Sequence, residues 1–341
     1  MTMTLRERIT SASEPAVRKT LAMARDSSTA HLVSSPGDLA VNAASFLRHI
    51  RAENLSPATI LTYMQSVARL AEFLAAKGMP TDVANIRREH LEAFLEDLLA
   101  RFTPATARNR YSGLRAFFRW LADEGEIGES PMTRMRQPRQ PERLAPVLPD
   151  DAVRRLLAAA REGARDATFS DRRDAAIIRL FLATGARLAE LADLRYEPVH
   201  PERHDVGDRV IRIRQGKNRR ERLSDIGLKG DRALDRYLRA RAKHPQAALP
   251  WLWLGPKGRL TATGIAQMIK RRGREAGIPN LHPHLLRHQA AHGYFAAGYL
   301  EADVMQLMGW KSRDMLRRYA AGAAQDRALA AARRFNPADE L

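Results

Sequence analysis

The chain has 341 residues, no cysteine, and 57 lysines and arginines against 39 aspartates and glutamates, which leaves a formal net charge of +18. The length predicts two domains, and the absence of cysteine excludes disulfides, thiolate zinc sites and cysteine nucleophiles. The positive charge favours a polyanionic partner, most often nucleic acid, although a basic protein that is merely soluble would show the same balance.

The N-terminal stretch predicts neither export nor membrane insertion. No apolar run approaches the roughly 18 residues that span a bilayer, and MTMTLRERIT lacks the apolar core of a signal peptide. We therefore expect a cytoplasmic protein without a membrane partner. Residues 1–35 show no sustained hydrophobic period, and we expect a mobile tail there.

A helical domain is predicted next. Ser56-Pro57 and Thr103-Pro104 each offer an N-cap followed by proline at the first helical position. Apolar residues then recur every three or four positions, as on the buried face of a helix. With shorter helices at about 37–51 and 88–101, these two predict a four-helix domain over residues 36–127.

The last of these helices carries four arginines, which could form an ordinary solvated face or could present cations to phosphates. They are Arg108, Arg110, Arg115 and Arg119. Residues 128–149 follow, with five prolines among arginines. Because proline stiffens the chain toward extended forms, this segment predicts a basic interdomain linker.

Residues 150–324 predict a second domain, mainly helical with a small antiparallel sheet. Helices are expected after Pro149, from Ser170 to Gly185, at about 231–243 and at about 262–276. A hairpin is predicted from alternating residues over 209–215, a turn at 216–218 and a returning strand over 220–223. The apolar run 251–254 predicts a short buried strand. The fold class is thus mainly α: a helical N-terminal domain joined by a linker to an α+β domain.

The stretch from His282 to Tyr319 holds the strongest signal for chemistry. His284 and Arg287 are three positions apart and share one face of a helix. Tyr319 stands nine positions after Trp310, between arginines and alanine. A phenol needs a basic, pre-organised setting to react near neutral pH, and arginines hold a phosphodiester bidentately. The combination suggests covalent attack on a phosphate.

These residues resemble a known family. The sequence HLLRH at 284–288, the turn Met-Gly-Trp at 308–310 and Tyr319 resemble the C-terminal signature of tyrosine recombinases, the phage integrase family. TGARLAEL at 184–191 resembles the family's T-G-x-R-x-x-E-L context. The predicted hairpin at 216–222 resembles the one that carries the family's catalytic lysine.

The resemblance implies a set of catalytic roles. The catalytic residues would be Arg187, Lys217, His284, Arg287, Trp310 and Tyr319, supported by Glu190 and His288. Tyr319 would attack the scissile phosphorus and form a 3′-phosphotyrosine, while Arg187 and Arg287 hold the nonbridging oxygens. Lys217 would protonate the leaving 5′ oxygen, with Arg219 and Arg220 as competitors for that role.

The remaining roles and departures also follow from the resemblance. His284 would accept the tyrosine proton, Glu190 would orient Arg187, and Trp310 would bind the phosphate or support the tyrosine loop. Most members have histidine in place of Trp310, and a Thr-Phe-like pair in place of Gln289-Ala290.

Double-stranded DNA carrying a specific recombination site is the implied partner, bound without cofactor or metal. The DNA-binding candidates are Arg108, Arg110, Arg115, Arg119, Arg219, Arg220, Lys270 and Arg271. A tetramer is expected when two recombination sites are brought together. An accessory protein or a partner recombinase is a further candidate partner. The protein would associate with the nucleoid. A tail helix is expected within residues 325–341. It has too few apolar residues to be stable alone, so it would pack on its own catalytic domain or on a neighbouring protomer.

Alternatives remain at this point. A type IB topoisomerase uses similar tyrosine and arginine chemistry, and a silent DNA-binding regulator could keep the same fold. The row His284, His288 and His292 could hold a metal, although no acidic ligand or HExxH motif accompanies it.

Overall fold

The computed structural model describes residues 37–140, 146–197, 200–214, 221–310, 316, 328–329 and 332–335. The expected mobile tail at 1–35 lies outside them. The described residues form two compact units on either side of residues 141–145. No helix among them is both long enough and apolar enough to cross a bilayer.

The first unit is a four-helix domain, as predicted. Its helices are α1 (Leu39–Ala52), α2 (Pro57–Ala76), α3 (Arg88–Arg101) and α4 (Pro104–Asp123), with a 3-10 turn at Val83–Asn85. The Ser56 side chain accepts from Thr59 N, and the Thr103 side chain accepts from Thr106 N, so both predicted N-caps are confirmed.

The core of the first unit reaches beyond α4. Aromatic and aliphatic side chains from all four helices meet there, among them Phe46, Met64, Phe94, Tyr111, Phe117 and Phe118. Met132 and Met135, within the segment expected to be a linker, are buried in the same core, and the Tyr111 hydroxyl donates to Met135 O at 2.6 Å. This part of the segment therefore packs against the helices, because its two methionines complete their apolar surface.

The second unit is helical with two small antiparallel sheets. Its helices are α5 (Asp150–Ala159), α6 (Phe169–Thr184), α7 (Leu188–Ala192), α8 (Gly227–Arg241), α9 (Ala262–Glu275), α10 (Pro283–Ala296) and α11 (Glu301–Met308). Its strands are β1 (Val206–Gly207), β2 (Val210–Ile213), β3 (Arg222–Asp225), β4 (Leu254–Gly255) and β5 (Gly258–Arg259).

Helix α6 is the centre of the second unit and packs against α8 and α10. It is buried almost all round, with Ile177, Ile178, Leu180 and Phe181 fully inaccessible. The helix starts one residue before the predicted Ser170, because Thr168 and Asp171 form a capping box. α8 likewise starts earlier than predicted, at Gly227.

The predicted hairpin is present, with Ile211 and Ile213 of β2 facing the core. β2 pairs with β3 in the register Ile213 to Arg222, and β1 adds a third strand that was not predicted. The hairpin loop at 215–220 lies outside the described residues.

The apolar run 251–254 is buried from Leu252 to Leu254, but it is not a strand along its length, so that prediction was wrong for most of the run. Only Leu254 belongs to a strand, β4, while Trp251 forms an isolated bridge with Arg195. Leu252 N donates to Leu194 O, and the Trp253 indole donates to Leu191 O. These backbone partners come from the segment around α7 and not from an adjacent strand, so the run packs without a ladder.

A buried ionic network joins α6 to α9. The Asp174 carboxylate is fully inaccessible and accepts from Arg173 at 2.7 Å, from Arg271 at 2.9 Å and from Arg272 at 3.0 Å. Arg272 also pairs with Asp171 at 2.6 Å. Arg271, a DNA-binding candidate, is thus partly engaged within the protein.

Candidate active site

Arg187 stands where α6 turns into α7. α6 ends at Gly185, which adopts the left-handed conformation with φ 54°. Arg187 then caps α7: its backbone N donates to Glu190 Oε2 at 2.8 Å, and its Nη1 donates to Glu190 Oε1 at 2.8 Å. The pairing of Arg187 with Glu190 that the sequence suggested is therefore present. The Arg187 side chain is 33% exposed, so an incoming anion can reach it.

Arg287 lies on α10 and is 3% exposed. Its guanidinium donates through Nη1 to Gly185 O and through Nη2 to Met308 O at 2.7 Å. The guanidinium carbon also lies 5.9 Å from the centre of the Trp310 ring. Arg287 therefore connects the end of α6 to the end of α11, next to Arg187.

Three arginines meet at the C-terminus of α11, where the last backbone carbonyls of a helix lack partners within the helix. The pairs are Arg222 Nε to Leu307 O at 3.1 Å, Arg287 Nη2 to Met308 O at 2.7 Å, and Arg187 Nη2 to Gly309 O at 3.4 Å. Positive side chains are favourable at this end because the helix dipole is negative there. The helix terminus thus gathers guanidinium groups that start on three different elements.

The turn that ends α11 depends on Gly309, which has φ 63°. The left-handed conformation lets Trp310 N return to Met305 O at 2.9 Å. Trp310 is 6% exposed and stacks on Phe295, with ring centres 6.5 Å apart. The Met-Gly-Trp turn therefore packs against α10 through its tryptophan.

Arg222 is part of this site and was not identified from the sequence as a functional residue. It is 8% exposed and forks onto Glu190, with Nη2 2.6 Å from Oε2 and Nη1 3.2 Å from Oε1. Burial alone would raise the pKa of Glu190, but hydrogen bonds and charge from Arg222, and then from Arg187, lower that pKa to about 2. Glu190 is therefore a buried carboxylate shared by two arginines. The signal for Arg222 was its inward position in the strand alternation, opposite Ile213.

The histidines lie along α10, which starts directly after His282; the His282 ring accepts from Leu285 N at 3.2 Å. His284 and Arg287 both lie on this helix, as predicted. His284 is exposed, His288 is 8% exposed, and their rings meet edge to face at 4.3 Å. Among the described residues no three His, Cys, Asp or Glu side chains are placed to hold a metal. Independence from metal remains a prediction about the reaction.

Several predicted residues lie outside the described part of the chain. They are Lys217, Arg219, Arg220 and Tyr319. Their assignments stay predictions. Within the described part, the structure brings together Arg187, Glu190, Arg287 and Trp310, with His284 and His288 on the helix that carries Arg287.

The four arginines of α4 do not share one face. Arg108, Arg115 and Arg119 recur at helical spacing and are half-buried or exposed, with Arg119 82% exposed. Arg110 instead points toward α2 and donates to Gln65 Oε1 at 3.2 Å and to Thr62 O at 3.3 Å. Burial lowers the pKa of Arg110. Lys270 on α9 is exposed.

Comparison with known proteins gives the family. The model of the phage integrase family matches residues 146–326, and that of the phage integrase N-terminal SAM-like domain matches residues 43–126. The tyrosine recombinase XerC of Roseiflexus castenholzii is 31% identical over 275 residues, covering 79% of this chain and 84% of the relative. The tyrosine recombinase XerD of Caulobacter vibrioides is 32% identical over 274 residues, covering 78% and 86%.

Solved structures share the fold. XerH site-specific recombinase, bound to a palindromic difH substrate in a post-cleavage complex, has a TM-score of 0.67 at 19% identity and covers 93% of this chain and 94% of its own. A lambda integrase dimer bound to a COC′ core site has a TM-score of 0.64 at 17% identity and covers 82% and 94%. Since a family model matches more than half of the chain and relatives above 30% identity match most of it, the protein belongs to the phage integrase family and is a tyrosine recombinase, an enzyme that cleaves and rejoins DNA at specific sites.

Proposed function

We propose that the cluster at the C-terminus of α11 is the phosphate-binding centre of this recombinase, and that Tyr319 is its nucleophile. The observation that carries the proposal is the convergence of Arg187 and Arg287 on the Met308–Trp310 turn. Guanidinium groups fixed in advance can stabilise the charge that builds on the phosphate oxygens without reorganisation during the reaction. Tyr319 follows this turn nine positions after Trp310 in the sequence.

The proposed reaction exchanges one phosphodiester for another. The Tyr319 oxygen bonds to phosphorus and passes its proton to His284, the bond from phosphorus to the 5′ oxygen breaks, and Lys217 gives that oxygen a proton. The 3′ phosphate is then held on the tyrosine. Rejoining runs the same steps in reverse, with a 5′ hydroxyl as the nucleophile.

The helical unit would supply additional grip on the duplex. Arg115 and Arg119 are exposed on one side of α4 and have the charge to bind phosphates. The proposal includes the domain limits 36–127 and 150–324 and a linker at 128–149, the start of which packs on the first unit through Met132 and Met135. The two family models support two functional parts, because they match residues 43–126 and 146–326.

Assembly on DNA is proposed from the relatives. A lambda integrase tetramer has been solved bound to a Holliday junction, and XerH bound to its difH substrate. We infer that this chain also binds duplex DNA and acts as a tetramer on paired sites, with an accessory or partner recombinase as a further candidate and the nucleoid as its place of action.

The decisive experiment is trapping of the covalent intermediate. The protein is incubated with nicked duplexes made from the DNA that flanks its gene, and products are separated under denaturing conditions. Wild type should give a protein–DNA adduct, Tyr319→Phe should give none, and Tyr299→Phe should serve as the control with wild-type yield. An adduct that persists in Tyr319→Phe would refute the nucleophile, while DNA binding without any wild-type adduct would indicate a silent regulator.

A further inference from the structure

We propose that Arg222 is a positioning residue for cleavage: it fixes Arg187, through Glu190, against the same helix terminus that binds Arg287. The inference rests on the proposed role of Arg187 in holding the phosphate. Arg222 itself is not expected to touch DNA, because all three of its guanidinium nitrogens donate to Glu190 or to Leu307 O.

The contacts of Arg222 join three elements. From β3 it donates two hydrogen bonds to Glu190 on α7 and one to Leu307 O on α11. Two parallel bonds from a guanidinium to a carboxylate fix both distance and plane, which a lysine cannot do. Glu190 in turn binds both the backbone and the side chain of Arg187. A shift of Arg222 would therefore be passed to Arg187 through a single carboxylate.

The position of Arg222 in the hairpin gives this contact a second consequence. Arg222 is the first residue of β3, opposite Ile213 at the end of β2, so it lies where the two strands meet the hairpin loop. Lys217, the proposed general acid, is five positions earlier in the sequence. Anchoring Arg222 to α7 and α11 thus also fixes the first residue of β3.

The packing around Gly309 shows how closely Arg222 approaches the turn. A Cβ atom on Gly309 would lie 3.0 Å from Arg222 Nη1 and 3.3 Å from Arg222 Cζ. The glycine is needed for its positive φ and also because it leaves room for this guanidinium. Arg222 and the Met308–Trp310 turn are therefore fitted to each other.

The charge of Glu190 supplies a diagnostic that a merely structural role would not give. Among the residues that the structure describes, Glu190 pairs with Arg187 at the start of α7 and with Arg222 from β3; Arg287 of α10 binds the adjacent carbonyls of Gly185 and Met308. Burial raises the pKa of Glu190, and without Arg222 this effect would be opposed by Arg187 alone. The pKa of Glu190 should therefore rise toward the pH range in which the enzyme works. Protonated Glu190 would hold Arg187 less well, so the variant should lose more activity as the pH falls.

The test compares Arg222→Met and Arg222→Lys with the control Arg212→Met. Arg212 lies on the adjacent strand of the same hairpin, is exposed, and makes no ion pair within 4 Å among the described residues. Each protein is assayed for non-covalent binding to one half-site, for melting temperature, and for single-turnover adduct formation across pH. A misplacement of about 1 Å can cost about a hundredfold in rate, so we expect Arg222→Met to lose roughly ten- to a hundredfold while half-site binding persists.

The ratio of the Arg222→Met rate to the wild-type rate should rise with pH. Arg222→Lys, which keeps the charge without the fork, should lose rate but show a ratio independent of pH. Arg212→Met should match wild type throughout. Near-wild-type rates for Arg222→Met would overturn the proposal, and so would a loss that is independent of pH and accompanied by lost binding in both Arg222 variants. Absence of any adduct from wild type would instead count against the proposed function.

Discussion

Replacing Gly185 with alanine tests whether the end of α6 sets the geometry of the arginines. At φ 54° an L-residue costs about 1–2 kcal/mol. The new Cβ would lie 2.6 Å from the sulfur and methyl carbon of Met308 and 3.3 Å from Ala290 Cβ. Since Met308 is fully buried, displacing it adds about 1–3 kcal/mol of overpacking. We therefore expect Gly185→Ala to lower the unfolding free energy by about 2–5 kcal/mol.

The same substitution should also slow cleavage. Gly185 O and Met308 O both accept from Arg287, so pushing Met308 away moves that guanidinium. The matched control is Gly277→Ala, because Gly277 has φ 73° in the same unit and a Cβ there would meet nothing within 4 Å. It should lose only about 1–2 kcal/mol of stability and keep the wild-type adduct rate.

The assay measures chemical unfolding of the second unit and single-turnover adduct formation at a temperature where all variants are folded. Gly185→Ala should form the adduct at least about tenfold more slowly, because even a displacement of the Arg287 guanidinium well below 1 Å should slow the reaction by that factor. The reasoning would be refuted by equal destabilisation of the two glycine variants, or by a wild-type adduct rate in Gly185→Ala.

Three further outcomes are expected. Asp174→Ala should destabilise the second unit by about 3–5 kcal/mol, because it leaves the buried Arg173 without the carboxylate it binds and removes one of the carboxylates that bind Arg272. In the same denaturation experiment Asp235→Ala, which breaks an exposed pair, should cost about 0.5 kcal/mol or less. Lys217→Ala should cleave normal DNA poorly but recover on DNA with sulfur at the 5′ bridging position, since a thiolate leaves without a proton; absence of rescue would assign Lys217 another role. The double change Arg115→Ala with Arg119→Ala should reduce the slope of log affinity against log salt by about 0.9 for each phosphate that the variant no longer neutralises, and an unchanged slope would remove both residues from the interface.

The helices of the first unit were predictable because their signals are local. Two helix starts are marked locally by Ser56-Pro57 and Thr103-Pro104, and the two ends are marked by Gly78 and Gly125. These signals can be recognised without knowledge of the rest of the chain. The divergence of Arg110 from Arg108 was also within reach, since two residues span about 200° around a helix. By contrast, burial of Met132 required knowledge of which apolar surface the four helices leave uncovered.

The sequence predicted several residues of the candidate site but not most of the contacts that join them. The sequence motif identified Arg187, Glu190 and Arg287. The spacing of three positions between Arg187 and Glu190 also made their ion pair an expected contact. Arg222 was missed because its role arises from pairing of β2 with β3 and from contacts with residues 32 and 85 positions away. Composition and helical spacing carry no information on such contacts, and strand alternation gives only the direction of the side chain.

The three arginines at the end of α11 differ in burial and in the length of their hydrogen bonds to the helix terminus, which suggests different roles. Arg287 and Arg222 are almost fully buried and donate to their carbonyls at 2.7 and 3.1 Å, while Arg187 is one-third exposed and donates at 3.4 Å. The helix terminus therefore holds two guanidinium groups firmly and the third more loosely. A phosphate oxygen can compete better with the longer bond, so Arg187 is the arginine expected to exchange a carbonyl for the substrate. Positive charge assembled in this way is in place before the phosphate arrives, and it is stabilised by the helix dipole and by the Glu190 carboxylate, not by the substrate.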